Sequence, residues 1–262
     1  MQLYQPFPML PGHRAQAWLH RPAYRRPRHF HAEPELNFVF HGRATMGVGE
    51  SSFDLERGDV LLLRPGQDHE MLSATADLEL VVVAVTPELA ERCMLRRFPA
   101  GSRPFRLSAA EIPAMRDQLV SLDAPTNGEQ HERIVGSLFG ATEGRFDQGH
   151  PTARRALDVI GKRPGTSSVR LAQDLRVQPS ELSRHFHEHL GLRVVEFRAR
   201  QRLMRFIQLV DQGRSFTHAA HEASFGSYAQ CHRVFHQYLG CSPSDYFASH
   251  RLRIDARYNP LP

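Results

Sequence analysis

The chain has 262 residues, room for about two domains at roughly 150 residues each. Its 41% hydrophobic and 23% charged content is that of an ordinary globular protein and excludes wholesale disorder. Residues 1–150 hold 16 Arg against 19 Asp and Glu, a net charge of −3, whereas residues 151–262 hold 17 Lys and Arg against 9 acids, a net of +8. A basic half joined to a slightly acidic half points to a polyanion partner for the second half only, although a solvated basic face would give the same count. Cys93, Cys231 and Cys241 form neither a disulfide framework nor a zinc spacing, which fits a reducing compartment. The opening MQLYQPFPML lacks the basic patch and apolar stretch of a signal peptide. The longest purely apolar run, 80–85, is far below the roughly 20 residues of a membrane helix, so a cytoplasmic protein without membrane contact is expected.

In chain order, residues 1–28 are rich in Pro and Arg and read as an arm or irregular edge. From 30 to 85 the stretches LNFVF, FDL, VLLL and LELVVVAV read as short strands, punctuated by HGRATMGVGESS and RPGQDHE, which predicts a small barrel or sandwich. A helix is expected over 87–97. A second, over 108–122, opens with the capping-box pattern SAAE. After a turn at 124–129, a third runs over 129–146 with Ile134, Leu138 and Phe139 on one side. The last two either pack on the barrel or form a dimer seam. DQGHP (147–151) reads as a linker. Beyond it, helices are expected over 152–162, 168–175, 179–190, 194–212, 215–223, 227–239 and 243–250.

The strongest feature is an internal repeat. Residues 184–191 and 233–240 both read R-x-F-H-x-x-L-G, 49 positions apart, and upstream Leu171-Ala172 and Val177 correspond to Ala219-Ala220 and Phe225 at an offset of 48. Each unit is a short helix with small apolar residues, a turn with one apolar plug, and a second helix. In the second helices Leu182, Phe186 and Leu190, and likewise Cys231, Phe235 and Leu239, share a face at i, i+4, i+8. The opposite faces carry Ser180, Ser183, Arg184 and His187, then Ser227, Tyr228, Ala229, His232, Arg233 and His236. Glu181 is nearly the only acid there. Duplicated helix-turn-helix units with polar, basic outer faces suit phosphate and base-edge contact with double-stranded DNA.

The segment 152–250 resembles the DNA-binding domain of the AraC/XylS family of bacterial transcription regulators. The family's first motif is approximated by Leu171-Ala172 through Phe186, and its terminal G-x-S-P-x-x-Y is met by Gly240 to Tyr246. Residues 194–212 resemble its connecting helix. Two positions depart from the pattern: Ser224 replaces the usual Gly, and His236 the usual Lys. The resemblance implies that each second helix enters a major groove, that the chain is a homodimer rather than an enzyme, and that RNA polymerase is a further partner.

His29, His31, Glu35 and Gly42, then Gly58, Pro65-Gly66 and His69, resemble the two motifs of a cupin barrel, with Arg64 in place of the first Pro. Alternation along a strand aims His29 and His31 the same way. His29, His31, Glu35, Asn37 and His69 are thus the candidate effector-binding residues, and His29, His31, Glu35 and His69 could hold Zn, Mn, Fe or Ni. An effector pocket that requires no metal stays open beside the metal site. Trp18, Phe38 and Phe40 are aromatic candidates for the pocket wall, facing either way. The expected architecture is α+β: a cupin-like β-barrel with a helical dimerisation segment (1–147) and an all-α domain with two helix-turn-helix units (152–262). The expected function is a DNA-binding transcription regulator controlled by a small-molecule effector; the alternative is a metal-dependent cupin enzyme with a DNA-binding appendage.

Overall fold

A computed structural model describes residues 4–7, 9–20, 27–92, 103–122, 128–142 and 144–250. The amino-terminal half holds β1 (Ala15–His20), β2 (Glu35–His41), β3 (Arg43–Val48), β4 (Ser51–Glu56), β5 (Asp59–Leu63), β6 (His69–Ala74), β7 (Glu79–Val85) and the short β8 (Phe105–Arg106). They form two antiparallel sheets, one in the order β1-β7-β2-β5-β8 and one in the order β4-β3-β6.

Four strands were not expected, the short β8 among them. β1 lies in the segment read as an arm, and β3 lies inside HGRATMGVGESS, whose Gly content suggested turns only. Gly42 (φ +71°) and Gly49 (φ +56°) do turn the chain, but between them Ala44, Met46 and Val48 alternate inward. β6 begins at His69, the end of the other stretch read as a turn.

The five-stranded sheet is mostly apolar on both faces because both are covered. Its inner face, with Trp18, Val39, Leu61, Leu63, Leu80 and Val82, shares a core with Met46, Val48 and Leu55 of the small sheet. Its outer face, with Leu36, Phe38, Phe40, Leu62 and Val83, is covered by helices. Trp18 therefore faces inward, and Phe38 and Phe40 face away from the interior. The covering helices are α2 (Glu111–Ser121) and α3 (Gly128–Thr142), which bury Leu119, Val135 and Leu138; α1 (Pro87–Arg92) adds Leu89. Of the two readings offered for this helical pair, packing on the β-half is present. Residues 93–97 of the first expected helix, Cys93, positions 124–127 and the Phe139 side chain lie outside the described residues.

The second half is helical: α4 (Pro151–Lys162), α5 (Ser168–Leu175), α6 (Pro179–Leu190), α7 (Val194–Asp211), α8 (Phe216–Glu222), α9 (Tyr228–Leu239) and α10 (Pro243–His250). The repeat extends to the caps. Ser167 and Ser215 each accept a backbone N–H at the start of α5 and α8, and Gly191 and Gly240 close α6 and α9 in left-handed conformation. The two turns match as well: Val177 N–H donates to the Ala172 carbonyl at 3.1 Å, and Phe225 N–H to that of Ala220 at 2.9 Å. Arg176 (φ 56°) and Ser224 (φ 64°) hold equivalent left-handed positions, so Ser224 keeps the backbone shape for which the family pattern has Gly. Among the described residues, no helix is long and apolar enough to cross a membrane.

Two buried or packed histidines serve as neutral acceptors. The fully buried His131 of α3 takes the Arg14 N–H on Nδ1 at 3.2 Å, and His150 caps α4 by accepting the Thr152 N–H. Desolvation first, then neighbouring charge (His13 and Arg14; His185 and His189), lowers both pKa values. The unfolded chain therefore binds these protons more readily than the native one. The stabilisation is complete above the unfolded value of about 6.5 and fades as pH falls through it toward the native values. The thermal midpoint should fall between about pH 7.5 and 5.5, and His150→Asn, a cap that does not titrate, should make the fall shallower. A flat pH profile would contradict this account.

Candidate DNA-contacting faces and the histidine cluster

The repeated helices hide one side and present the other. Leu182, Phe186, Leu190, Cys231, Phe235 and Leu239 are all buried. Ser180, Ser183 and Arg184 on α6, and Ser227, Ala229, Arg233 and His236 at α9, are exposed; His187, Tyr228 and His232 are half-buried. Neither arginine is walled off. The amino-terminal ends of these helices carry Ser180 and Ser227 among free backbone N–H groups, a setting that favours a phosphate. Ser227 also caps α9, its Oγ accepting the Gln230 N–H, and so holds the helix start rigid. Both units are mounted on α7. Val194 and Phe197 at its start pack with the first unit, whereas Leu203, Phe206 and Ile207 further on pack with the second.

In the β-half, His29, His31, Glu35, Asn37 and His69 converge as the motif reading expected. All five are buried. His29 and His69 are joined by reciprocal backbone hydrogen bonds of 3.0 and 2.8 Å. Each imidazole Nδ1 meets a backbone carbonyl two residues away: His29 that of Pro27 at 2.9 Å, His31 that of Glu33 at 2.8 Å, His69 that of Gln67 at 3.0 Å. A carbonyl only accepts, so each Nδ1 donates to it and each ring turns its Nε2 edge toward the interior. Glu35 Oε2 lies 2.9 Å from His31 Nε2 and 3.3 Å from His69 Nε2, and Asn37 donates to Glu35 Oε1 at 2.7 Å. Burial pushes the Glu35 carboxyl up, but the charge of nearby His69 and the hydrogen bond from His31 outweigh it and hold the group well below the usual carboxylate range. The donor atoms of His29, His31 and His69 all lie within 4.8 Å of one another, and His69 Nε2 is buried without a hydrogen bond. Three imidazoles with backbone-anchored Nδ1 atoms and an adjacent carboxylate fit a divalent transition metal.

The neighbourhood of this cluster was not foreseen. Between His29 and His31, Phe30 points the opposite way, out of the β-half and into the core of the second helix-turn-helix unit, edge-on to Tyr238 of α9 with centroids 6.1 Å apart. Next to His69, Asp68 binds Arg200 of α7 at 2.6 Å and Arg28 at 2.9 Å. Arg200 also donates to the Gly66 carbonyl at 3.1 Å and lies over the Phe30 and Tyr238 rings. Gln67 donates to the Leu190 carbonyl at the end of α6, and Gln201 to the Pro65 carbonyl, both at 2.9 Å. Burial pushes the Asp68 carboxyl up, but Arg200 and Arg28 outweigh it and lower it. At the β3–β4 turn, Glu50 N–H donates to the Gly191 carbonyl at 2.9 Å, and the Glu50 carboxylate is 3.5 Å from His187 of the outer face of α6. Polar residues beside His69 were visible in the sequence, but nothing there marked partners more than 120 positions away.

The fold is that of a two-part protein, a β-half with a buried histidine cluster docked on paired helix-turn-helix units. The chain belongs to the AraC/XylS family of transcription regulators: residues 12–149 match the AraC-like ligand binding domain and residues 171–249 a helix-turn-helix domain. It is similar to the transcriptional regulatory protein HptR of Staphylococcus aureus, 33% identical over 76 residues, covering 29% of this chain and 30% of that protein. A Staphylococcus epidermidis protein, described as an uncharacterized response regulatory protein, matches with the same identity over the same length. The chain thus spans under a third of the relatives it matches. Among solved structures, ToxT of Vibrio cholerae is 14% identical with a TM-score of 0.49, covering 90% of this chain and 97% of that one. A DNA-binding transcriptional dual regulator of Escherichia coli is 24% identical with a TM-score of 0.34, covering 39% and 94%.

The junction requires two glycines. A Cβ on Gly49 would collide with the Gly191 carbonyl, and one on Gly191 would sit 2.8 Å from the Val48 carbonyl. Gly49→Ala should therefore cost at least about 1 kcal/mol more than Gly213→Ala, a left-handed glycine with open space around it. It should also expose the 147–151 linker to protease. Equal thermal shifts for the two variants would show that the halves do not dock through this turn.

Proposed function

We propose that the chain is a sequence-specific regulator that reads double-stranded DNA with α6 and α9 in consecutive major grooves and takes a small-molecule effector at His29, His31, Glu35, Asn37 and His69. The observation that carries the reading is the twofold presentation of an exposed arginine, Arg184 and Arg233, on helices whose other side is buried. Guanidinium groups pair bidentately with guanine edges, and the nearby serines, histidines and Tyr228 suit phosphates. The effector shifts a population between two arrangements of the halves, which requires that it bind one arrangement more tightly. In this reading the β-half senses rather than catalyses, the chain works as a homodimer in the cytoplasm with α2 and α3 supplying the seam, and it engages RNA polymerase once on DNA.

The reading is tested by selecting bound duplexes from a random pool and measuring gel shifts on the selected site. Arg184→Ala should weaken specific binding by roughly 1–3 kcal/mol and relax preference at one or two base positions, with Arg233→Ala doing so at a second cluster about one helical turn away. Failure of the wild-type chain to enrich any motif would overturn the reading, as would unchanged affinity and preference in both variants.

A further inference from the structure

We infer that a divalent transition-metal ion held by His29, His31 and His69 fastens the β-half onto α7 and the second helix-turn-helix unit. This rests on the regulator reading above and assigns the regulation of its candidate effector site.

The argument is one of alternation. Two short segments, 29–31 and 66–69, carry both the inward-facing ligand set and the outward-facing docking set. His29 and His31 turn inward, while Phe30 between them enters the core around Tyr238 and Arg200. His69 turns inward, while its neighbours Asp68 and Gly66 hold Arg200, and Gln67 holds the carbonyl end of α6. The segments are also tied to each other, through the reciprocal His29–His69 backbone pair and through Gly66 N–H donating to the His31 carbonyl at 2.9 Å. No loop separates the donors from the docking residues, so a displacement of the imidazoles is a displacement of Phe30 and Asp68.

The donor atoms of the three imidazoles all lie within 4.8 Å of one another, close enough for one ion with bonds of about 2.0–2.2 Å to engage all three. Binding therefore cross-links the two segments. Without an ion that cross-link is gone, and His69 Nε2 is buried without a hydrogen bond. The same two segments then spread. Arg200 then loses the fixed placement of Asp68 and the Gly66 carbonyl. Because Arg200 is buried on a helix common to both helix-turn-helix units, the loosening reaches the whole DNA-binding half.

The test uses the full chain, stripped with chelator, and zinc competed against a fluorescent chelator. Spin or dye labels on an exposed β-half residue, Asp54, and on Gln237 of α9 report the distance between the halves. One equivalent of zinc should bind the wild type and narrow a broad distance distribution to a single population. His69→Ala should weaken zinc binding more than about a hundredfold, beyond what loss of an outer partner costs, and should keep the broad distribution. Asp68→Asn should bind zinc within a fewfold of the wild type yet narrow little, which separates the coupling from the ligand set. His29→Ala repeats the first comparison should His69→Ala fold poorly. Binding below one equivalent overturns the inference, and so does full binding with no change in the distance distribution. Enrichment of a DNA motif by the wild-type chain is measured apart, so the regulator reading survives either failure; loss of that enrichment sinks the reading without touching the zinc result.

Discussion

The structure depends on one buried cation. Arg200 is 6% exposed, lies midway along α7, and is neutralised by Asp68 of the β-half at 2.6 Å. A guanidinium cannot shed its proton at ordinary pH, so its burial is tolerable only while Asp68, the Gly66 carbonyl and the rings of Phe30 and Tyr238 stay in place. Removing one partner of such a pair costs about 3–5 kcal/mol, because the remaining charge has nowhere to go. That asymmetry ties the halves at a charged contact beside the packing of Phe30 on Tyr238.

Around that point α7 works as a beam. Its first turns share a core with α4, α5 and α6, its later turns share one with α8, α9 and α10, and its middle meets the β-half. The separation of the two arginine faces is thus a property of one helix, and so is their relation to the histidine cluster. The acidic β-half also brings Glu50 within 3.5 Å of His187 on the outer side of α6. Docking consequently adds a negative charge beside that side of the helix.

Much of this was legible in the sequence, and the limits have physical causes. The helical half was readable to within a residue or two, because a 3.6-residue period, Ser caps and Gly terminators repeat 48 to 49 positions apart and so check one another. The five inward residues of the β-half were found from a spacing motif whose residues meet as expected. β3 was hidden because its alternation is built from Ala, Met and Val between two glycines, a composition that resembles a turn. The inward or outward sense of Trp18, Phe38 and Phe40 was unreadable because the five-stranded sheet is buried on both faces, which erases the polar alternation that would reveal it. Arg200, Asp68, Gln67 and Gly49 carried no signal, since each matters through a partner brought close only by the complete fold. Phe7 was likewise invisible: it stacks on Trp18 at 4.9 Å and meets His31 edge-on at 4.6 Å, plugging the interior beside the cluster.

The most direct measurement of the central claim is a hydroxyl-radical footprint of the full chain on a selected duplex. Two helix-turn-helix units mounted on one helix should protect, for each protomer bound, two patches on the same side of the DNA, centred about 10–10.5 base pairs apart. Removing the arginine of one unit should clear one patch and leave the other. A single patch, or two on opposite sides of the duplex, would contradict the account.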